Sequence, residues 1–213
     1  MMRLPLHPPE RSVVPLLVAA LALSIGVALL TPRGAGAAAA PQLLPQRDVE
    51  IRYTVSVPGQ PPHDYDLAFS AESERARIDD PARGLWFLVD LRNATAALVV
   101  PGMHAVVTEP DLAGLAGILQ SAKTAQFVPF GEATIAGLRC TRYRVNSEQA
   151  KGTACLTRDG IALAVSGEDS RGSARVIADS VTEAVVPGDR LAPPHNFLRI
   201  ALPRGAIAAL LGN

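Results

Sequence analysis

The stretch from Gly137 to Val165 constrains the fold more than any other, because it contains both cysteines of the chain. Cys140 lies in Leu138–Val145 and Cys155 lies in Gly152–Thr157, two short segments separated by a polar loop. Short segments of strand-forming residues joined in this way predict neighbouring antiparallel strands. The stretch therefore predicts a β-meander as the frame of the domain.

The turn after the second cysteine extends this meander. The dipeptide Asp159-Gly160 predicts a two-residue primed hairpin turn, since both residue types tolerate positive φ. The return strand is predicted at residues 161–165, with Ile161, Leu163 and Val165 facing inward because side chains alternate between the two faces of a strand.

The two cysteines are predicted to form a disulfide. If Cys140 lies directly opposite Cys155, the loop between their strands is centred between Ser147 and Glu148. Their Cα atoms would then be about 4.5–5.5 Å apart, which is within disulfide range. Two buried free thiols are the alternative. A metal site would need further ligands, and the nearest histidines lie far away in sequence.

The first forty residues have the pattern of a secretory signal peptide. Arg3 and Arg11 precede an uncharged apolar run, Val13–Leu30, and small residues follow it. We expect residues 1–40 to be removed by cleavage among Ala37 to Ala40. The run is also long enough for a short membrane helix, so an inner-membrane anchor is the alternative. In both cases the domain is expected in the periplasm, where a disulfide persists.

The remaining chain is predicted to be a linker at residues 41–47 followed by one domain at residues 48–213, which is an ordinary domain size. Alternation of apolar and polar residues, punctuated by proline and glycine, predicts several more strands. They are Asp48–Val57, Asp64–Glu72, Arg75–Asp79, Leu85–Leu91, Ala94–Val100, Met103–Thr108 and Ser173–Val186, the last with a bulge near Ser180. Phe127–Gly131 is predicted to be a loop.

Two of these strands, Leu85–Leu91 and Ala94–Val100, are apolar on both faces and therefore need cover on both faces. The cover could be a second layer, a helix or a ligand. A helix is predicted from Thr108 to about Lys123, with apolar residues at helical spacing. It is interpreted as a core helix on the sheet, with a movable lid as the alternative. A second short helix is predicted at Pro203–Leu211.

The sequence lacks the usual signatures of catalysis. It contains no Gly-x-Ser-x-Gly, no glycine-rich loop followed by Lys-Ser/Thr, and no His-Glu-x-x-His. Neither enzyme activity nor a cofactor is expected. Acidic pairs at Asp64/Asp66 and Asp79/Asp80 are interpreted as solvated carboxylates rather than calcium ligands, so no metal is expected.

The charge of the chain gives no general attraction to nucleic acid. The chain has 20 Lys+Arg and 20 Asp+Glu, and the first forty residues hold three arginines and one glutamate; 17 and 19 remain, a net −2. Basic residues nevertheless concentrate on the cysteine meander, at Arg139, Arg142, Arg144 and Arg158. They are candidates for a patch that binds an anionic headgroup or a protein partner. A solvated strand face is the alternative.

The cysteine meander also carries a family resemblance. Gly137-Leu-Arg-Cys-Thr-Arg-Tyr, then Ala154-Cys-Leu-Thr-Arg-Asp-Gly, then Pro193-Pro-His-Asn-Phe resembles a group of uncharacterised secreted bacterial proteins. That group is similar to the superfamily of the outer-membrane lipoprotein carrier LolA. The resemblance covers roughly Val49 to Ile200. It implies a mainly β fold: a curved antiparallel sheet, an open half-barrel, with one or two short helices on its concave apolar face.

The resemblance implies a periplasmic binding or carrier protein for an apolar ligand, a lipid or an acylated protein. The alternative is a cell-envelope sensor or interaction protein without a bound ligand, in peripheral contact with the envelope. No binding residue is carried over from the carriers. Together with the two-sided apolar strands, the resemblance suggests a candidate apolar lining of Phe69, Trp86, Leu88, Leu112, Leu115 and Ile118.

Overall fold

A computed structural model describes residues 40–110, 112, 124–147, 151–169 and 172–207. Its described residues are mainly β, as predicted. The strands in chain order are β1 (Val49–Ser56), β2 (His63–Ser70), β3 (Arg75–Asp80), β4 (Leu85–Asp90), β5 (Thr95–Val100), β6 (Ala105–Thr108), β7 (Gln126–Ile135), β8 (Leu138–Asn146), β9 (Lys151–Leu156), β10 (Ala162–Asp169), β11 (Gly172–Glu183) and β12 (Leu198–Ala201).

These twelve strands form one open, curved sheet in the order β12-β6-β5-β4-β3-β2-β1-β11-β10-β9-β8-β7. Strands β1 to β6 form one antiparallel meander and β7 to β11 form another, and the two join where β1 pairs with β11. The last strand, β12, returns to the far edge and pairs parallel to β6. The predicted curved antiparallel sheet is confirmed, with this one parallel pair in addition.

One face of the sheet, called the inner face here, carries the main core. Strand β1 shows why: Val49, Ile51, Tyr53 and Val55 alternate as buried positions with polar residues on the outer face. The buried cluster continues along both meanders and includes Phe69, Leu98 and Leu163. The period-two pattern of the sequence therefore predicted the buried face of this strand correctly.

The two strands that are apolar on both faces are covered on the outer face by the chain itself. Leu88, Val99 and Val106 form a separate buried cluster there, and Trp86 and Phe197 pack against it. Phe197 belongs to the Pro-Pro-x-Phe-like motif that precedes β12. The sequence predicted that a cover was needed, and the structure identifies the C-terminal segment as that cover.

Two predictions concern local details of the sheet, a bulge in β11 and a loop at residues 127–131. Arg52 pairs with Ser180 and Tyr53 with Ala178, so Asp179 is the extra residue of a bulge in β11, as predicted near Ser180. The prediction of a loop around residues 127–131 is wrong, because these residues belong to β7. Proline is tolerated there because β7 is an edge strand, where one side of the backbone needs no partner.

The predicted disulfide between Cys140 and Cys155 is present, with a Cα–Cα distance of 5.3 Å. Its predicted register is wrong. Cys155 lies opposite Arg142, not opposite Cys140, so the cysteines form a diagonal pair. The pairing of Asn146 with Lys151 moves the centre of the loop by one residue, and loop composition alone does not define that position.

The turn after β9 also differs from prediction. The Gly160 N–H donates to the Thr157 carbonyl at 3.1 Å, and only Gly160 within this turn has positive φ, at 89°. These features match a turn closed by a glycine bulge rather than a two-residue primed turn. A Cβ at Gly160 would lie 2.0 Å from the Leu44 carbonyl oxygen, so this turn packs directly on the segment before β1.

The composition of that segment, residues 41–47, predicts a linker. In the structure Leu43 and Leu44 are buried in the main core. The Gln46 N–H donates to the Asp159 carbonyl at 3.0 Å, and the Arg47 guanidinium lies 3.0 Å from the Asp159 carboxylate. These contacts attach the segment to the domain.

Several predictions fall on residues outside the described part of the chain. Residues 1–39, which include almost all of the predicted signal peptide, are among them. Of the helix predicted from Thr108 to about Lys123, Thr108 instead belongs to β6, and Pro110 and Leu112 are helical. Thr124, just after its predicted end, is also helical, and of the second predicted helix residues 206 and 207 are helical. Within the described residues, no helix has the length and apolar character needed to cross a membrane.

Candidate functional site

The six side chains predicted to line an apolar site do not share one face of the sheet. Phe69 and Leu112, with 1% and 6% of their surface exposed, belong to the inner core. Trp86 and Leu88 lie on the outer face, against Phe197. Leu115 and Ile118 lie outside the described residues. The proposed lining is therefore split, because neighbouring residues of a strand point to opposite faces.

Inner-face side chains that the prediction missed lie beside the outer-face ones. Leu85, Phe87 and Val89 of β4 belong to the main core, and so does Leu98 of β5, which lies opposite Phe87. Odd positions of β4 continue the register of Phe69, through Ala76 to Val89. A register argument of this kind identifies Phe87 as the inner aromatic residue, whereas hydrophobicity alone does not.

The Tyr53 hydroxyl on the inner face is buried and bound by the backbone. Tyr53 is 2% exposed, and its hydroxyl donates to the Ala162 carbonyl at 2.8 Å. Burial raises the pKa of Tyr53 well above its usual range, because the phenolate would lose its hydration. With this hydroxyl satisfied by the backbone, the surface presents side chains suited to an apolar partner.

The beginnings of two helical segments lie over this face and are tied together. Leu112 and Ile207 both join the inner core. Between them lies the buried Glu109, whose Oε2 accepts a hydrogen bond from the Ile207 N–H at 3.0 Å. Its Oε1 has no hydrogen-bond partner in the described part of the structure. Glu109 thus connects the two segments that cover the edge of the inner face.

The outer face has a charged groove of about 720 Å³ across β11, β1, β2, β3 and β4. Arg52 donates to Asp66 through two nitrogens, at 2.8 and 3.2 Å. Arg77 donates to Asp79 and also lies 4.0 Å above the ring of Trp86. Arg190 pairs with Glu50. Positive and negative side chains are therefore matched within this groove.

The four candidate basic residues also separate. Arg142 and Arg144 lie on the outer face of β8, with their guanidinium carbons 4.5 and 5.2 Å from the ring centre of Phe130. Arg139 is exposed on the opposite face of the same strand, because it is three positions from Arg142. Arg158 is exposed in the turn after β9. Only two of the four therefore form a common surface.

The acidic pairs considered for calcium are held by protein groups. Asp66 and Asp79 bind Arg52 and Arg77, as described above, and Asp64 accepts a hydrogen bond from Thr54 at 3.1 Å. The buried Asp80 accepts hydrogen bonds from the backbone and guanidinium of Arg83, both at 3.0 Å. No group of three metal-ligating side chains occurs in the ranges that the structure describes.

No family model and no curated protein matches the chain. Solved structures do. An uncharacterized conserved protein from Thermus thermophilus is 9% identical, with a TM-score of 0.52 over 74% of this chain and 91% of that one. This likeness shows a shared fold.

Two further structures illustrate the range of the matches. MucB, in the MucA/MucB complex of Pseudomonas aeruginosa, is 16% identical with a TM-score of 0.43, and the match covers 74% of this chain and 59% of that one. A LolA superfamily protein from Nitrosomonas europaea is 10% identical with a TM-score of 0.35, over 70% of this chain and 91% of that one.

Proposed function

We propose that this chain is a periplasmic, non-enzymatic binding or carrier protein whose inner face holds an apolar ligand, the acyl chain of a lipid or of an acylated protein. The observation that carries the proposal is the continuous apolar inner face of an open sheet. That face extends over both meanders, and Leu112 and Ile207 of the two helical segments lie against it. An acyl chain between sheet and covering segments would extend this apolar contact.

The energetic argument favours an acyl chain over a polar ligand. Each methylene that moves from water into an apolar site contributes about 0.8 kcal/mol, so a chain of ten methylenes gains about 8 kcal/mol, against which stands the cost of opening the existing packing. A polar ligand would need unoccupied hydrogen-bond partners, and the Tyr53 hydroxyl is already bound to a backbone carbonyl.

The single tryptophan provides a direct test of which face binds. Trp86 lies on the outer face and its neighbour Phe87 lies on the inner face. The variant Trp86→Phe/Phe87→Trp moves the reporter across the sheet without adding a second tryptophan. Titration with dibromostearate, whose bromines quench tryptophan at short range, should quench the variant strongly and the wild-type protein weakly.

Two controls accompany the titration. Thermal unfolding establishes that the variant remains folded, and native mass spectrometry of periplasmically expressed wild-type protein identifies any lipid that co-purifies. Equal quenching of both proteins, or stronger quenching of the wild type, would contradict an inner-face site. Absence of quenching in both, with no lipid recovered, would refute the carrier function.

A further inference from the structure

The outer face near the β7 edge carries a surface that differs from the charged groove. Val128, Phe130, Arg142 and Arg144 form it, and it is called the Arg142–Phe130 surface here. Val128 lies opposite Arg144 and is 52% exposed, and Gly131 lies opposite Arg142 with Phe130 as the extra residue of the bulge. Both guanidinium groups lie beside the same phenyl ring. Apolar and cationic side chains therefore lie side by side on this face.

The two arginines of this surface have no carboxylate partner among the described residues, unlike the arginines of the charged groove. The nearby Glu132 lies opposite Thr141, which alternation places on the other face from Arg142. The ring of Phe130 instead holds both guanidinium groups in place while leaving them in solvent. Their positive charge is thus available to an external anion.

The neighbouring strands extend this positive character. A row on the outer face runs from Arg144 through Thr153 and Ser166 to Arg175. The two hydroxyl groups in the middle of the row are hydrogen bonded to each other at 2.8 Å. Lys151 is the next cation, and it lies opposite Glu168, which offsets it. Three arginines therefore remain along an otherwise uncharged row and its margin.

We propose that the Arg142–Phe130 surface docks on the surface of an anionic phospholipid bilayer. Guanidinium groups attract lipid phosphates, while the half-buried Phe130 and the exposed Val128 would contact the interfacial region. An acidic protein strand added to the β7 edge fits less well. Pro129 lacks an N–H, and the bulge around Phe130 interrupts the straight edge that strand addition requires. The inference concerns the outer face and does not depend on a ligand at the inner face.

The expected effect follows from the number of arginines. Each basic residue near an anionic membrane contributes about 1 kcal/mol, which is about fivefold in binding. Arg142→Gln/Arg144→Gln should therefore bind vesicles of 30% phosphatidylglycerol and 70% phosphatidylcholine about 30-fold more weakly than the wild-type protein. Phe130→Ala should also weaken binding, and its remaining binding should depend on salt as steeply as that of the wild type.

Co-sedimentation with these vesicles, at low and high salt, is the measurement. Arg139→Gln is the matched control, because this arginine is exposed on the opposite face of the same strand; it should bind like the wild type. Vesicles of pure phosphatidylcholine should bind none of the proteins. Circular dichroism establishes that each variant is folded.

Three results would overturn the proposal. The first is wild-type binding to the anionic vesicles that is no stronger than to pure phosphatidylcholine. The second is an equal loss for Arg139→Gln and for the double variant. The third is binding of the wild type to polyglutamate but not to vesicles, which would assign the surface to an acidic protein partner.

Discussion

Removal of the disulfide is the most informative test of the frame, because its contribution can be worked out from the structure. The variant Cys140→Ala/Cys155→Ala eliminates a cross-link between residues separated by 15 positions. In the chain-entropy model, closing a loop of that length stabilises the folded state by about 3 kcal/mol. For a domain of this size, that loss corresponds to a fall in Tm of about 6–12 °C.

The assay is urea unfolding of the wild-type protein, oxidised and reduced, beside the double variant. The reduced wild type keeps both sulfur atoms, which are almost fully buried, and therefore isolates the cross-link from the packing. We expect it to be about 3 kcal/mol less stable than the oxidised protein, and the double variant to be less stable still. Binding of dibromostearate should change little, because Cys155 lies opposite Arg142, which is on the outer face of the sheet.

A difference below about 1 kcal/mol between oxidised and reduced wild type would refute this reasoning. It would mean that the unfolded chain gains little conformational freedom when the cross-link is removed, or that the backbone hydrogen bonds between β8 and β9 hold the strands together as well without the disulfide as with it. If reduction also increases the m-value, the slope of the unfolding free energy against urea concentration, this would independently indicate that the unfolded chain has expanded.

Three further changes test individual contacts. Gly160→Ala should lower the free energy of unfolding in urea by at least about 2 kcal/mol, because the new Cβ meets a carbonyl oxygen at 2.0 Å and the φ is positive. Gly59 also has a positive φ but lies in open space, so Gly59→Ala should lower it less. Equal losses in the two variants would contradict the packing argument. Glu109→Ala should lower the free energy of unfolding by about 1–3 kcal/mol, because the buried Ile207 N–H loses its acceptor. Glu109→Gln keeps an acceptor and should lower it clearly less. Equal losses in the two variants would show that the hydrogen bond is unimportant. The raised pKa of Tyr53 means that its contribution to stability is fully present below the unfolded pKa of about 10 and is lost as pH rises above it. Urea midpoints at pH 9 and 11 should therefore fall more steeply for the wild type than for Tyr53→Phe, and identical slopes would contradict this.

The sequence predicts the fold well where the alternation of apolar and polar residues within one strand determines which face is buried. Alternation in β1 identified Ile51 and Tyr53 as inner residues without any knowledge of their partners. It fails where the deciding partner is distant. A run of apolar residues around Trp86 indicates burial on both faces, but Phe197, more than a hundred positions later, decides what covers the outer one.

The candidate site was harder to predict for the same reason. Hydrophobicity selected Trp86 and Leu88, whereas register with Phe69 selects Phe87. Likewise Pro129 suggests a loop until its strand is known to be the edge of the sheet, where a missing N–H is tolerated. Edge position and pairing register are properties of the whole sheet, so local patterns do not contain them.

Because the C-terminal segment packs against the first meander, that meander is completed only when the end of the chain has been synthesised. Strands β4 to β6 leave the ribosome long before Phe197 and β12, which cover their outer face and pair with their open edge. During that interval the emerging half exposes an apolar surface and an unpaired strand edge, both of which favour self-association. A chain interrupted just before residue 197 should therefore aggregate rather than fold. The last segment protects the first meander from self-association by covering its apolar surface and pairing with its edge.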